Sequence, residues 1–298
     1  MRKFLPSISP RQSRSSHGNG RNEPPGAVGA AARSAIKWRD GEVRSEQDFL
    51  AVEEPLEIRL GGRRFTVTMR TPGHDEELAA GFLLAEGFVK SARDLGEIRR
   101  VKDRRGAAEP NIIDVLLAVP ADELRLRLKR NFVVSSSCGL CGKTTIDSIR
   151  RRIARLRRGP QVSLTVVREL APRLARAQEI FAATGGLHAA ALFDCRGRMA
   201  SIREDVGRHN AVDKVVGRAL LDDHLPLANS ILVVSGRAGY EIVQKSMCAG
   251  IPVLAAVGAP SSLAVALARE FNQTLVGFLR GDHFNVYSAP ERLGGNSR

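Results

Sequence analysis

Hydrophobic and polar positions change their period several times along the chain, and each change marks an element. Residues 1–37, with "SRSSHGNGRNEPPG" among them, hold no sustained apolar period and are rich in Arg, Ser, Gly, Pro and Ala, which predicts a disordered basic leader. In "PLEIRLGGRRFTVTMR", Leu56, Ile58 and Leu60 alternate with polar residues before Gly61-Gly62, and Phe65, Val67 and Met69 alternate after it. Two period-2 runs joined by Gly-Gly predict a β-hairpin. "TPGHDEELAAGFLLAEGFV" opens with acids and sets Leu78, Phe82, Leu83 and Phe88 on an apolar face, which predicts a helix. A second strand pair is expected at 97–102 and 112–119, and "LRLRL" at 124–128 alternates again. Residues 144–158 read as a helix with six Arg among the last nine, a basic end that suits a helix C-terminus.

From about Ala182 short β-rich runs alternate with helical periods: "LHAAALF", "RHNAVDKVVGRALLDD", "SILVVS", "YEIVQKSMCAG", "PVLAAV", "SSLAVALAREF" and "TLVGFL". That rhythm predicts an α/β sheet. The expected organisation is a leader at 1–37, a β-rich region with a helix at 38–135, a cysteine loop and basic helix linker at 136–181, and an α/β domain at 182–298.

Composition narrows the classes. The chain has 298 residues, 43% of them hydrophobic, enough for a buried core. Its net charge of +14 favours anionic partners: nucleic acid, acidic membrane surfaces or phosphate-rich small molecules. Aromatics are only 5%, which argues against a stacking platform for single-stranded nucleic acid. No apolar run has the length of a membrane span and no signal-type apolar block opens the chain, so no membrane association and a cytoplasmic location are the expectations. The four cysteines, with one close pair, do not form the framework of a secreted disulfide scaffold.

That close pair, Cys138 and Cys141 in "SSSCGLCGK", carries the candidate chemistry. A structural zinc site needs four ligands, and no second C-x-x-C or H-x-x-x-H is present. His74-Asp75-Glu76 matches the H-x-E of zinc deaminases, but it lies in a different segment and Ser137 replaces the expected proline. Placed before a helix, between Gly139, Gly142 and Lys143, a cysteine of this pair is set up to be a thiolate. Such a thiolate can exchange disulfides or hold sulfur as a persulfide, and the pair alone does not choose between them.

Six motifs in order, "RTPGHDEELAAGFLLAEGFV", "SSSCGLCGK", "ATGGLHAAALF", "REDVGRHNAVDKVVG", "SGRAGYEIVQKSMCAGIPVLAAVGAPSSLAVALARE" and "VGFLRGDHFNVY", resemble the FdhD family, the formate dehydrogenase accessory sulfurtransferases. The resemblance runs from about residue 50 to the C-terminus. It implies a cytidine-deaminase-like α/β/α sandwich with an additional N-terminal β-containing region, working as a homodimer. It implies sulfur received from a cysteine desulfurase and passed to the molybdenum bis-guanine-dinucleotide cofactor that formate dehydrogenase needs. By motif position Cys138 is the persulfide carrier and Cys141 its partner, no metal is held, and the cofactor-binding stretch falls on Phe278, Leu279, Arg280, Gly281, Asp282 and His283. A guanine nucleotide such as GDP is expected at the same site. The alternatives are a zinc-dependent deaminase and a basic nucleic-acid-associated protein.

Other residues suit a phosphate-rich ligand. "SGRAGYE" puts Gly236, Arg237 and Gly239 after a strand and before a helix, where amides and a guanidinium can meet a phosphate. "REDVGRHNAVDK" gathers Glu204, Asp205, Arg208, His209, Asn210 and Asp213; an acid here could hold a guanine's donors and His209 a phosphate, against helix capping and surface ion pairing. In "GAPSS" Ser261 or Ser262 is the expected N-cap. Cys195 and Cys248 lack a neighbouring thiol and are expected to pack as small apolar residues, while His17 and His224 face solvent.

Overall fold

The structure, a computed structural model, describes residues 28–103, 105–118, 153–156 and 159–294. Strands β1 (Ala30–Arg39) and β2 (Glu42–Ala51) form a separate antiparallel arm that turns at Asp40-Gly41. This corrects the leader boundary: residues 30–37 belong to a strand, and only 1–27 lie outside the described residues. Ala32, Ser34, Ile36 and Trp38 do alternate with Arg33, Ala35, Lys37 and Arg39, but the alanines mask the period. Pairing with β2, including Lys37 Nζ to Asp48 Oδ1 at 3.4 Å, supplies what the local pattern lacks. Ile36 and Trp38 are each 75% exposed on one face of this arm.

The predicted hairpin is β3 (Glu54–Leu60) with β4 (Arg63–Arg70). Gly61 and Gly62 hold φ of 57° and 79°, two consecutive left-handed residues that glycine adopts without steric cost. Leu56, Ile58 and Leu60 are buried as expected, but β4 is an edge strand and Val67 and Met69 are exposed. The helix α1 (Asp75–Ala85) follows, with Asp75, Glu76 and Glu77 in its first turn. Phe65 meets Phe82 and Phe88 edge-on, at ring-centroid distances of 6.0 and 4.8 Å. β5 (Leu95–Lys102) and β6 (Ala108–Leu117) complete a four-stranded sheet in the order β4-β3-β6-β5.

"LRLRL" and most of the predicted basic helix lie outside the described residues. Residues 153–156 are described and are not helical. Ile153 is buried in the main core, and the Leu156 amide donates to the Phe271 carbonyl at 2.9 Å, so tertiary pairing takes over this end of the segment.

The second half alternates as expected after α2 (Leu164–Arg176) and the short α3 (Glu179–Thr184). β7 (His188–Asp194), β8 (Met199–Asp205), α4 (Arg208–Leu221), β9 (Ser230–Val234), α5 (Tyr240–Cys248), β10 (Val253–Ala256), α6 (Ser262–Glu270), β11 (Thr274–Arg280) and β12 (His283–Ser288) give a six-stranded sheet. Its order is β12-β11-β10-β9-β7-β8, with β9, β10 and β11 parallel. Alternate residues face opposite layers. Ala191, Ile231, Val233 and Val276 pack with Val167, Leu170 and Leu174 of α2, whereas Ala190, Leu232, Leu254 and Leu275 join the core with α4, α5 and α6. The result is an α/β/α sandwich with an additional N-terminal sheet. α2, which the sequence reading placed in a linker, is one of its helical layers because its apolar stripe needs the sheet to cover it. The main core also runs without a break from residues 56–115 of the first segment to residues 190–275 of the last.

These segments are joined where α1 crosses α4. A Cβ on Gly81 would overlap the Asp213 carbonyl, and one on Gly217 would overlap the Glu77 carbonyl, so the two backbones touch. Polar contacts surround the crossing. Thr71 accepts from Lys214 Nζ at 2.8 Å through its carbonyl and donates its amide to Asp205 at 3.2 Å. Arg203 of β8 donates to Glu77 of α1, with Nη2 to Oε1 at 2.7 Å. Burial alone would raise the Glu77 pKa, but hydrogen bonds and charge from His74 and Arg203 hold it at about 2.

Gly217→Ala is expected to destabilise the protein by about 3 kcal/mol or more, because two helix backbones must separate; the denaturant midpoint measures it. Glu77 has a depressed pKa, so its contribution to stability is complete above pH 4.5 and fades as pH falls towards 2. The difference in urea midpoint between the wild type and Glu77→Gln should therefore shrink across that window.

Candidate functional site at the sheet edge

The parallel strands β9, β10 and β11 end at one edge, where the loops into α5 and α6 and the β11–β12 hairpin lie side by side. Backbone hydrogen bonds stitch these segments together. Phe278 N donates to Gly258 O at 3.1 Å, Gly258 N to Gly236 O at 3.0 Å, and Ser261 N to Ala238 O at 3.1 Å. The spacing is tight: a Cβ on Gly258 would sit 2.9 Å from Gly236 O and 3.1 Å from Arg237 Cα. Gly236, Arg237 and Phe278 are thus brought into one strip. α5 begins at Gly239 with no side-chain cap, whereas Ser261 caps α6 by accepting from Ala264 N at 3.2 Å.

Within the stretch 278–283 the residues part company. Phe278 is 40% exposed with φ of 54°, an unfavourable backbone state for an aromatic residue and a local store of strain. Leu279 turns inward and is fully buried against the α2 side of the sheet. Arg280 pairs with His283 across Gly281-Asp282, and Asp282 Oδ1 lies 3.7 Å from Arg168 Nε of α2. Arg237, Arg280 and His283 are exposed and make no ion pair among the described residues. Cys138 and Cys141 lie outside the described residues.

The β8–α4 corner borders the same edge, and most of its polar residues serve the fold. Glu204 accepts from the Ile180 and Phe181 amides at 2.9 and 2.8 Å. Asp205 accepts from Gly207 N and Asn210 Nδ2 on one oxygen, at 2.8 and 3.0 Å, and from Thr71 N and Lys214 Nζ on the other. Asn210 Nδ2 also donates to Met69 O at 2.7 Å. Asp213 holds Lys245 Nζ with both oxygens at 2.8 Å, deep in the core, and Lys245 lies 5.6 Å from the Phe82 ring centroid. Burial pushes the Asp213 carboxyl up to about 6 against the pull of Lys245. Neither Asp205 nor Asp213 is therefore free to receive a guanine.

Arg208 and His209 remain at the edge, joined by His188 at the start of β7, which the sequence reading missed. His188 lies inside a quoted motif, but its neighbours there are Leu, Gly and Ala, which give no sign of charge. Burial, then the charge of Arg208, lowers the His188 pKa, with Asp205 opposing. Burial, then Arg208 and Lys245, pushes His209 down to about 4. Both rings are neutral at pH 7.

His74, of the H-x-E triplet, is an exposed N-cap at φ of 56° and lies 3.6 Å from Glu77. Among the described residues no group of three or more His, Cys, Asp or Glu could hold a metal ion, and no helix is long and apolar enough to cross a membrane. Cys195 and Cys248 are partly buried against the two cores.

The family profile described as the FdhD/NarQ family matches residues 51–294. The chain belongs to that family. Relatives named sulfur carrier protein FdhD are 51% identical over 267 residues in Streptomyces coelicolor, covering 88% of this chain and 94% of the relative. The Mycobacterium tuberculosis relative is 50% identical over 260 residues, covering 85% and 94%. In Saccharolobus solfataricus identity is 44% over 261 residues, covering 87% and 96%. A crystal structure from Desulfotalea psychrophila, described as a formate dehydrogenase accessory protein, superposes with a TM-score of 0.67 at 27% identity, covering 89% of this chain and 99% of that one. Within the FdhD/NarQ frame the matched region starts at Ala51, so nearly all of the β1–β2 arm precedes it.

Beneath the edge, removing one member of the Asp213–Lys245 pair leaves a buried charge alone. Asp213→Asn should cost about 3–5 kcal/mol of unfolding free energy, and the double variant Asp213→Leu/Lys245→Met should recover most of it in the same denaturation measurement.

Proposed function

We propose that this protein is a sulfurtransferase of molybdenum cofactor maturation. Cys138 accepts sulfur from a cysteine desulfurase as a persulfide, and the edge of the six-stranded sheet holds the molybdenum bis-guanine-dinucleotide cofactor that receives it for formate dehydrogenase. The observation that carries the reading is the strip formed by Gly236, Arg237, Gly258 and Phe278, where the ends of three parallel strands are locked together. A phosphate-rich nucleotide suits such an edge: the exposed Arg237 and Arg280 offer guanidinium groups that are unpaired among the described residues, and the amides at the start of α5 lack a side-chain cap. An exposed aromatic ring at Phe278 offers a face on which a guanine can stack.

The thiol chemistry needs no metal and no net redox change in the loading step. The Cys138 thiolate attacks the outer sulfur of the donor persulfide, the new S–S bond replaces the old one, and the donor cysteine leaves as its thiolate. In a C-x-x-C pair the N-terminal cysteine is the more accessible and more acidic, which supports Cys138 as carrier and Cys141 as its assistant. We place the reaction in the cytoplasm and the working form as a homodimer, following the family resemblance.

One experiment separates the thiol role from the ligand role. After incubation with a desulfurase and cysteine, intact-mass analysis should find an adduct of about 32 Da, one sulfur, on the wild type and on Arg280→Ala but not on Cys138→Ala. Protection against thermal unfolding by GDP should be weaker in Arg280→Ala and normal in Cys138→Ala. An adduct that persists in Cys138→Ala and vanishes in Cys141→Ala would move the carrier to Cys141; loading of neither thiol in the wild type would end the sulfurtransferase reading.

A further inference from the structure

Arg208 stands where helix electrostatics disfavour a cation. It is the first residue of α4, at the positive end of the helix dipole, in a first turn that carries no acid and behind an N-cap, Gly207, with no side-chain cap. Its Nε is shut off from solvent and has no hydrogen-bond partner among the described residues. Among the described residues its guanidinium makes no ion pair. A donor buried in this way costs stability unless something arrives to accept from it.

Among the described residues no nearby carboxylate can do so. Asp205 has both oxygens occupied by Gly207, Asn210, Thr71 and Lys214. Asp213 is committed to Lys245, and Glu241 lies 3.4 Å from His209 Nε2. The surroundings supply more donors. A Cβ on Gly236 would stand 3.3 Å from His188 Nδ1 and 3.7 Å from Arg208 Cβ, so the loop after β9 packs directly beside the imidazole and the arginine stem. A neutral imidazole keeps one N–H, so His188 has a donor to give, whereas His209 turns its Nε2 to Glu241.

We propose that Arg208, flanked by His188 and His209, is an oxyanion site that takes the phosphoryl groups of a guanine nucleotide, while the neighbouring strip around Phe278 takes its base. The assignment rests on the reading of this edge as a nucleotide site, and it places the phosphates on the α4 side of the Gly236 loop. It also explains why a cation is tolerated at the helix N-terminus: the ligand supplies the missing negative charge.

Calorimetric titration of the full chain with GDP, guanosine and inorganic pyrophosphate tests it, using Arg208→Gln, Arg208→Lys and His188→Ala. Arg208→Gln should weaken GDP and pyrophosphate by roughly ten- to a hundredfold and leave guanosine unchanged. Arg208→Lys should keep part of that affinity, His188→Ala should lose less than Arg208→Gln, and Arg208→Gln should unfold no earlier than the wild type because it removes an unpaired cation. GDP and pyrophosphate binding equally well to the wild type and Arg208→Gln would overturn the phosphate site while leaving the nucleotide reading intact. Pyrophosphate that binds through Arg208, with GDP no tighter than pyrophosphate and guanosine not bound, would keep the phosphate site and overturn the guanine reading.

Discussion

The contact on which the rest depends is the crossing of α1 over α4 at Gly81 and Gly217, where each helix presses a glycine against a carbonyl of the other. Nothing larger than hydrogen fits there, so the N-terminal sheet that carries α1 can dock on the six-stranded sheet in only one way. Docking fixes Thr71, Thr71 fixes Asp205 and Lys214, and Asp205 fixes the turn into α4 through Gly207 and Asn210. The position of Arg208 and His209 at the sheet edge is thus set by an interhelical contact rather than by their own loop. Charged groups inside a core are costly unless each is paired with good geometry, and around the crossing Glu77 has Arg203, Asp205 has Lys214 and Asp213 has Lys245.

That arrangement divides the polar residues of one short motif into two kinds. Glu204, Asp205, Asn210 and Asp213 spend their polar groups on contacts within the fold, whereas Arg208 faces the edge with capacity to spare. Burial first, and then the charge of Arg208, favours the neutral form of both histidines, so the corner offers a donor from His188 beside the full charge on Arg208. Such a surface, with Arg237 and Arg280 further along the edge, attracts an anion.

Much of this architecture was legible in the sequence, and the failures have physical causes. The β3–β4 hairpin was readable because Gly61-Gly62 punctuates two clean alternations, and the strand and helix rhythm after Ala182 because each run is bounded by Gly, Pro or polar residues. β1 was missed because alanine carries no period, and α2 was misplaced because its stripe makes sense only once a sheet is there to receive it. The end of the supposed basic helix at 153–156 was misread because local propensity favours helix while a hydrogen bond to Phe271 takes the backbone elsewhere. At the candidate site, Gly236 and Arg237 stood out by their place between a strand and a helix and Phe278 only through the family resemblance; the order of the strands in the sheet is what brings the three together. His188 did not stand out, because its charged neighbours come from other strands and helices and leave no mark in the sequence around it.

The β1–β2 arm has an optical consequence. Trp38 is the chain's only tryptophan, and at 75% exposure its indole already faces water in the folded protein. Its emission is therefore uncoupled from the two hydrophobic cores, which contain no tryptophan at all. Melting the sandwich would leave the indole in much the same solvent, whereas anything that settles on the arm would shield it and shift its emission to the blue. The chain thus carries a built-in fluorophore that reports on the arm and is nearly silent about the fold.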